Sequence, residues 1–361
     1  MRSIITILLI VLFSLHSNPI SAETGLGTVE DFMPMAIFDY SELGGTISGI
    51  CSGESSLCVY SNSSYLIVHM DDEWDQSEKY AIDHPQIKDD APYVRQVIFA
   101  NDAYHFLVFD HAVEKSYVIS QYEDDTKYGE LLSKEARSIT WTGDGFFLTG
   151  LDIDTQQLWY RRDHVSGDVL WEGTADTESL VPVYCVSQED QIMVISQHTS
   201  EPCLNFSILN CEGTETVSCK VYPSDINVGT SYHVFQIDTT PNEIAMCGEL
   251  ISKSGSQGFF LRLNRDFTVE NYHEYDQFTR IQSFAKEDSQ YIMLALADID
   301  SLLPYARYIL SEAEPSMYPL EKKNDLVRTV GFVKIPDGTV CTYGLLENSV
   351  VEPDAFIAET K

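Results

Sequence analysis

The main feature of the sequence is a pair of apolar strands that recurs along the chain. In each instance an alternating apolar strand meets a polar turn, and a second, more continuously apolar strand follows, as in ARSITWTGDGFFLTGLD from Ala136. Alternation indicates a half-buried β-strand, and a continuous apolar run between turn residues indicates a fully buried one. The pair occurs seven times, with starts at Thr46, Val94, Ala136, Val181, Tyr232, Thr279 and Val327.

Two further strands follow the pair in most units. In the fifth unit they are residues 258–263 and 267–272, on either side of Asn264-Arg265-Asp266. Four antiparallel strands in a repeat of 42 to 51 residues are typical of a propeller blade. We therefore expect an all-β fold, a single seven-bladed β-propeller of four-stranded antiparallel blades that occupies residues 23–361.

The two ends of the repeat array predict how the ring is closed. The last unit stops after its third strand, Ala355 to Glu359, while Phe32 to Tyr40 is a strand without a partner in its own unit. We expect this N-terminal strand to complete the last blade, because pairing the two ends leaves no exposed edge. The alternative is an open or six-bladed ring with stray strands.

Short segments carry a family resemblance. GFFLRLNRD from Gly258 and DAFIAETK from Asp354 resemble the third-strand signature of secreted bacterial β-propeller repeat proteins. HVSGDVLWEG from His164 resembles the signature of quinoprotein-type propeller repeats, but it occurs clearly only once. The resemblance implies a fold and not a function, and we expect no cofactor.

Residues 1–22 have the pattern of a secretory signal peptide. Arg2 precedes an apolar run from Ile4 to Leu15, and the small residue Ala22 precedes the expected cleavage site. The apolar run is shorter than the length that a membrane-spanning helix needs. We expect an exported monomer without a membrane span, secreted or held at the cell envelope.

The net charge limits the kinds of partner that we expect, and the cysteine count indicates possible disulfides. The chain has 22 basic and 56 acidic residues, a formal net charge of −34, which disfavours binding to nucleic acid. Eight cysteines permit disulfides in an exported chain. Cys51 and Cys58 flank one predicted hairpin turn, and Cys211 and Cys219 flank another, so these two pairs are the disulfide candidates.

The candidate binding site comes from one position of the first strands. Four residues before a shared aromatic or aliphatic position, the chain has Arg95, Arg137, His233, Arg280 and Arg328. Equivalent positions of the innermost strands form a ring in a propeller, so these side chains should surround one mouth of the channel. Arginine suits carboxylate or phosphate, which predicts a pocket for a uronic acid, a sialic acid or a C-terminal carboxylate. In the alternative, each arginine pairs with an acidic residue of a neighbouring loop, namely Asp110, Asp152, Asp154, Glu249, Asp298 or Asp300.

Catalytic and metal signals are weak. Asp152 and Asp154, and likewise Asp298 and Asp300, are close carboxylate pairs and weak calcium candidates without the spacing of a known calcium loop. No catalytic residues or metal site are predicted. The sequence favours an exported, non-enzymatic binding module that recognises a protein or glycan. The alternatives are a carbohydrate-active hydrolase or lyase with acidic loop residues at the same mouth, and a structural envelope or matrix protein.

Overall fold

The computed structural model describes most of the chain after residue 33. The described residues are 34–39, 47–70, 80–82, 92–123, 125–129, 132, 134–175, 179–188, 190–199, 201–223, 231–253, 255–276, 278–287, 290–297, 307–310, 315–318, 321–322, 325–348 and 354–359. The predicted signal peptide, Asp298 and Asp300 lie outside them. No helix in the described part of the chain is long and apolar enough to cross a membrane.

The described secondary structure consists of strands. The first strand is β1 (Pro34–Asp39). The strands of the next three sheets are β2 (Gly49–Ser52), β3 (Ser56–Tyr60), β4 (Ser64–His69), β5 (Tyr80–Ala81), β6 (Tyr93–Ala100), β7 (Ala103–Asp110), β8 (Lys115–Gln121), β9 (Thr126–Tyr128), β10 (Glu135–Trp141), β11 (Gly145–Leu151), β12 (Leu158–His164) and β13 (Val169–Ala175).

Four further groups of strands follow. They are β14 (Leu180–Gln188), β15 (Gln191–His198), β16 (Leu204–Asn210), β17 (Glu215–Val221), β18 (Ser231–Thr239), β19 (Glu243–Ser252), β20 (Gly255–Asn264), β21 (Val269–Tyr275), β22 (Phe278–Glu287), β23 (Gln290–Ala297), β24 (Arg307–Leu310), β25 (Pro315–Tyr318), β26 (Glu321–Lys322), β27 (Asp325–Lys334), β28 (Val340–Asn348) and β29 (Asp354–Glu359).

The strands form antiparallel meanders in chain order. The four-stranded sheets are β2–β5, β6–β9, β10–β13, β14–β17, β18–β21 and β22–β25, and a five-stranded sheet has the order β1-β29-β28-β27-β26. The first strands of successive sheets contact one another, and β27 contacts β2, so these strands surround a central space. This arrangement is an all-β propeller.

The predicted count of seven four-stranded blades is wrong, and the described residues support five. Five sheets, from β2–β5 to β18–β21, are four-stranded and have described side chains on every strand. In the β22–β25 sheet the side chains of β24 and β25 lie outside the description. The last sheet departs from the pattern because β26 adds a fifth strand at the edge of β27.

The N-terminal strand lies in the sheet that also contains the last strand. The segment predicted between Phe32 and Tyr40 is observed as β1, and it pairs antiparallel with β29, with Ile37 opposite Phe356. Phe32 and Tyr40 themselves lie outside the described residues. The pairing provides β29 with a partner on the side that would otherwise be an open edge.

Local chemistry explains the hairpins between first and second strands. Asn101 and Asp102 both have positive φ, 49° and 58°, between the paired residues Ala100 and Ala103. Two central residues with positive φ define the type I′ turn, which matches the twist of the strands that it joins. The polar dipeptide therefore sets the register of β6 and β7.

The hydrophobic core lies between neighbouring sheets. Val97 and Phe106 of one sheet pack with Cys58 and Tyr65 of the sheet before it, and Phe106 is fully buried. Burial of one such side chain contributes about 1.5–3 kcal/mol. The continuously apolar second strands are fully or nearly fully buried because both of their faces meet a neighbour.

Candidate functional site

The first strands share an irregularity that positions their side chains. In β6, the pairing with β7 shifts between Val94 and Gln96, so that Arg95 is an extra residue without its own partner. A β-bulge of this kind places two residues opposite one and redirects the side chains. The pairing shifts in the same way in the corresponding first strands, where the residues without their own partner are Arg137, Val183, Phe235, Gln282 and Val330.

The bulges divide the predicted arginine ring into two registers. Arg95 and Arg137 are themselves the bulged residues. Arg280 lies two residues before the bulged Gln282, and His233 lies two residues before the bulged Phe235. Arg328 likewise precedes Val330 by two residues, although its side chain is outside the description. The candidates therefore occupy two successive levels of the first strands.

Arg95 and Arg137 share one carboxylate. Oε1 of Glu135 lies 2.7 Å from Nη2 of Arg95 and 3.0 Å from Nη2 of Arg137. Burial lowers the pKa of the Arg95 guanidinium and Arg137 acts in the same direction, while Glu135 opposes both effects. For these two arginines the acidic partner is Glu135, which was not among the acidic residues considered from the sequence.

Arg280 has a different environment. Its side chain is exposed, and its guanidinium lies 5.8 Å from the centre of the Phe235 ring. Among the described residues, no carboxylate forms an ion pair with it. His233 is also exposed, and in the strand register it lies opposite Glu249 of the adjacent strand. Among the predicted arginines with described side chains, Arg280 is therefore one that a ligand can reach and that no described carboxylate neutralises.

Arg280 lines a cavity of about 500 Å³ that we call the central cavity. The cavity is bounded by Ser48, Gly49, Ile50, Tyr60, Tyr93, Phe235, Gln236, Arg280, Gln282, Ser283, Val330, Phe332 and Tyr343. These residues come mainly from the first strands of several sheets. The volume is within the range of small-molecule sites. None of the described residues that line the cavity is acidic.

Much of the polar lining is already hydrogen-bonded within the protein. Oε1 of Gln236 accepts from the Ser283 hydroxyl at 2.8 Å and from the Phe284 amide at 2.9 Å, and its Nε2 donates to the Phe284 carbonyl. Nε2 of Gln282 donates to the Val330 carbonyl at 3.3 Å. These bonds join neighbouring first strands, so their role is to hold the sheets together.

Two aromatic residues of the cavity were missed by the sequence reasoning. Phe235 and Tyr93 are each 44% exposed, which is high for residues of their size in first strands. The sequence does contain a signal, because His233-Val234-Phe235 and Tyr93-Val94-Arg95 each place an aromatic residue two positions from a basic one. The signal could not be interpreted from the sequence, because the position of a bulge is known only when the partner strand is known.

The carboxylate oxygens of Asp152, a calcium candidate, are engaged within the protein. The Asp152 carboxylate pairs with the Lys134 ammonium and accepts the backbone amides of Asp154 and Thr155 at 3.0 and 3.2 Å. These contacts close a turn and use the oxygens that a cation would need. In the described part of the chain, no group of three or more His, Cys, Asp or Glu side chains is placed to hold a metal.

The eight cysteines are free thiols. Cys51 and Cys58 are directly opposite each other on β2 and β3, so the predicted pair is adjacent although not bonded. Cys219 is opposite Phe206, whereas Cys211 lies beyond the end of β16, so the predicted second pair is not aligned. Burial raises the pKa of the Cys51 thiol to about 12, which suppresses the reactive thiolate.

The comparisons with known proteins define the fold. No protein-family model and no curated protein sequence matches the chain. A chain of the mitotic checkpoint complex is similar, with a TM-score of 0.56, 11% identity and coverage of 92% of this chain and 96% of that chain. The propeller domain of the trilobed protease from Pyrococcus furiosus, described as having an open velcro topology, has a TM-score of 0.53, 11% identity and coverage of 91% and 96%.

Drosophila semaphorin 1b extracellular domains 1–2 give a TM-score of 0.54 at 8% identity, with coverage of 91% of this chain and 87% of that one. These matches come from proteins with diverse roles. The chain is therefore a β-propeller, and likeness at these identities extends to the fold alone.

Proposed function

We propose that this protein is an exported, non-enzymatic binding propeller that recognises a ligand through an anionic group in the central cavity, with Arg280 as the recognising cation. The observation that carries the proposal is the exposed Arg280 side chain, which lines the cavity and has no ion-pair partner among the described residues. The predicted signal peptide supports export. The resemblance to secreted bacterial propeller repeat proteins supports it as well.

The strongly negative net charge of the protein gives an exposed cation in a cavity a specific role in attracting an anionic ligand. With 56 acidic and 22 basic residues, the protein is dominated by negative charge, and Arg280 is a positive group on that background. A positive group in a concave, partly water-excluding site attracts an anion more strongly than the same group on an open surface. The anionic ligand would therefore be directed to the cavity while the remaining surface repels it.

The lining favours binding over hydrolysis. Glycosidases use two facing carboxyl groups, and the described lining has none. Asp110, one of the acidic loop residues expected near the mouth, is fully buried and accepts the Ala112 amide at 2.8 Å. This carboxylate caps a turn at the end of β7.

The test is a comparison of Arg280→Gln with Arg162→Gln. Both variants remove one positive charge, but Arg162 is paired with Asp144 at 2.9 Å and is not part of the cavity lining. We expect carboxylate-bearing probes, sugars and peptides included, to bind the wild-type protein and the Arg162 variant in calorimetry. Arg280→Gln should bind at least about tenfold more weakly with an unchanged melting temperature. Anion binding that is equal in both variants, or unfolding of the Arg280 variant, would contradict the proposal.

A further inference from the structure

The polar groups of the central cavity define the chemistry of the rest of its ligand, given the proposed anion site at Arg280 on which this inference rests. We infer that the ligand is a sugar acid, in which a carboxylate binds Arg280 and hydroxyl groups bind Tyr60 and Gln282. The free monosaccharide acid and the end of an acidic polysaccharide share this chemistry.

A glycine makes room for the Tyr60 hydroxyl at the cavity wall. Tyr60 is on β3, a second strand, and lies directly opposite Gly49 of the first strand β2. A Cβ atom at Gly49 would collide with the Tyr60 hydroxyl oxygen, so the lack of a side chain there creates the space that the hydroxyl occupies. Both residues line the cavity. A second-strand side chain thereby reaches a space that first strands otherwise surround.

The Tyr60 hydroxyl is free to bind a ligand. Within the described part of the chain it makes no hydrogen bond, although it lines the cavity. Burial raises the pKa of this hydroxyl well above its ordinary value of 10, so it carries its proton at neutral pH. It can therefore donate one hydrogen bond and accept others.

Gln282 adds an acceptor to the wall. Its Nε2 donates to the Val330 carbonyl at 3.3 Å, whereas no donor among the described residues reaches its Oε1. Gln236 differs, because its Oε1 already accepts two hydrogen bonds. An amide oxygen cannot bind a carboxylate, since both groups are acceptors. The free Oε1 of Gln282 therefore requires an O–H or N–H group on the ligand, in addition to the carboxylate at Arg280.

The charge of the lining decides which kind of donor suits the cavity. An ammonium group would share the space with the Arg280 guanidinium, and none of the described lining residues is acidic. The ammonium would lose water without gaining a counter-charge. A hydroxyl group is neutral, and it suits the Gln282 oxygen as well as the hydroxyls of Tyr60 and Tyr93. The lining therefore matches an acid that carries several hydroxyl groups.

Phe235 provides a surface for the sugar ring. Its side chain is 44% exposed, and its ring centre lies 5.8 Å from the Arg280 guanidinium. One face of a sugar ring consists mainly of C–H groups, which pack against an aromatic ring and remove its apolar surface from water. A carboxylate at Arg280 would place the attached ring beside Phe235. The cavity volume of about 500 Å³ has room for it.

The experiment compares four probes on the full chain by calorimetry: D-galacturonate, D-glucuronate, D-galactose and 3-phenylpropionate. Galactose lacks the carboxylate, and 3-phenylpropionate lacks the hydroxyl groups. We expect at least one of the two sugar acids, which differ in the orientation of one hydroxyl, to bind at least about tenfold more tightly than galactose and 3-phenylpropionate. A trisaccharide that ends in the preferred acid distinguishes the sources, because tighter binding than the monosaccharide would identify a polysaccharide.

Two matched variants test the assignment of Tyr60. Tyr60→Phe should weaken the preferred sugar acid about tenfold and leave both the affinity for 3-phenylpropionate and the melting temperature unchanged. Tyr104→Phe is the control, because the Tyr104 hydroxyl lies 2.9 Å from the Ser56 hydroxyl and outside the cavity lining. It should leave sugar-acid binding unchanged. Equal affinity in Tyr60→Phe and the wild type, or equal weakening by both substitutions, would contradict the assignment.

The probes also separate this inference from the proposed function. Binding of 3-phenylpropionate that equals or exceeds that of both sugar acids, and that is lost in Arg280→Gln, would overturn the inference and leave the anion site standing. Carboxylate binding that does not depend on Arg280 would overturn both.

Discussion

Oε1 of Glu135 lies 2.7 Å from Nη2 of Arg95, although the two residues belong to neighbouring sheets. The same oxygen contacts Arg137 on its own strand, so one carboxylate holds two cations that repel each other. This relationship separates the arginines with a structural role from Arg280, which the proposal assigns to the ligand.

Substitution Glu135→Gln should destabilise the protein. It leaves two partly buried guanidinium groups without their counter-charge, at a cost of about 1–3 kcal/mol in the free energy of unfolding. Urea unfolding followed by circular dichroism measures the effect. Arg280→Gln is the control and should leave the midpoint unchanged, whereas equal midpoints for Glu135→Gln and the wild type would show that the triad contributes nothing.

The amide of Gln236 predicts a second stability effect. Gln236→Leu removes the acceptor for the Ser283 hydroxyl and the Phe284 amide, and each donor left unsatisfied costs about 1–3 kcal/mol. Gln282→Leu removes one longer bond, at 3.3 Å, and should cost under about 1 kcal/mol. Thermal unfolding of the two variants tests the order, and a larger loss for Gln282→Leu would reject this account of how neighbouring first strands are joined.

Two buried tyrosines predict opposite responses to the loss of a hydroxyl. The Tyr160 hydroxyl is buried near Ser207 without a hydrogen bond of good geometry, while the Tyr65 hydroxyl donates to Oε1 of Gln121 at 2.7 Å. Tyr160→Phe should leave stability unchanged or raise it by up to about 1 kcal/mol, and Tyr65→Phe should lower it by about 1 kcal/mol. Chemical denaturation distinguishes them, and equal losses in both variants would contradict the prediction.

His105 predicts a pH dependence. It is fully buried, stacks on Trp141 with ring centres 5.9 Å apart, and is hydrogen-bonded to Ser120 and to the Ala100 carbonyl. Burial lowers the pKa of its imidazole from the ordinary value of 6.5, and the bond to Ala100 only partly offsets this. Because the unfolded chain binds the proton more readily, the contribution of neutral His105 is present above pH 6.5 and is lost as the pH falls towards the lowered pKa.

Unfolding free energies measured between pH 7.5 and 5 (a range of about one unit or more on either side of the usual histidine pKa) test this sign. The stability of the wild type relative to His105→Gln should fall as the pH falls, because the comparison cancels the effect of the 56 acidic residues, which both proteins share. A difference that stays constant or grows towards acid would contradict the buried neutral imidazole.

The sequence predicted the elements of the fold better than their number and register. Alternating first strands and continuous second strands were correctly located, since burial on one or both faces determines those patterns. Turn residues such as Asn101 and Asp102 also marked the hairpins correctly. The predicted count of seven four-stranded blades was wrong, and the repeat pattern gave no indication of β26, the fifth strand of the last sheet.

The candidate site was only partly predictable for a different reason. Alignment of the first strands on a late aromatic residue placed Arg95 and Arg280 in one register, but a bulge adds one residue at a position that only the partner strand reveals. Arg280, which lines the central cavity, was therefore named as a candidate, whereas its neighbour Phe235 was not. Glu135 was missed because its partner Arg95 is on another sheet, 40 residues away in sequence.

A crystal structure of the protein with a bromine-substituted carboxylate tests the central claim most directly, since the anomalous signal of bromine locates the ligand without ambiguity. The account predicts the carboxylate within hydrogen-bonding distance of the Arg280 guanidinium. Bromine found only outside the central cavity, with Arg280 paired to a carboxylate of the protein itself, would contradict it.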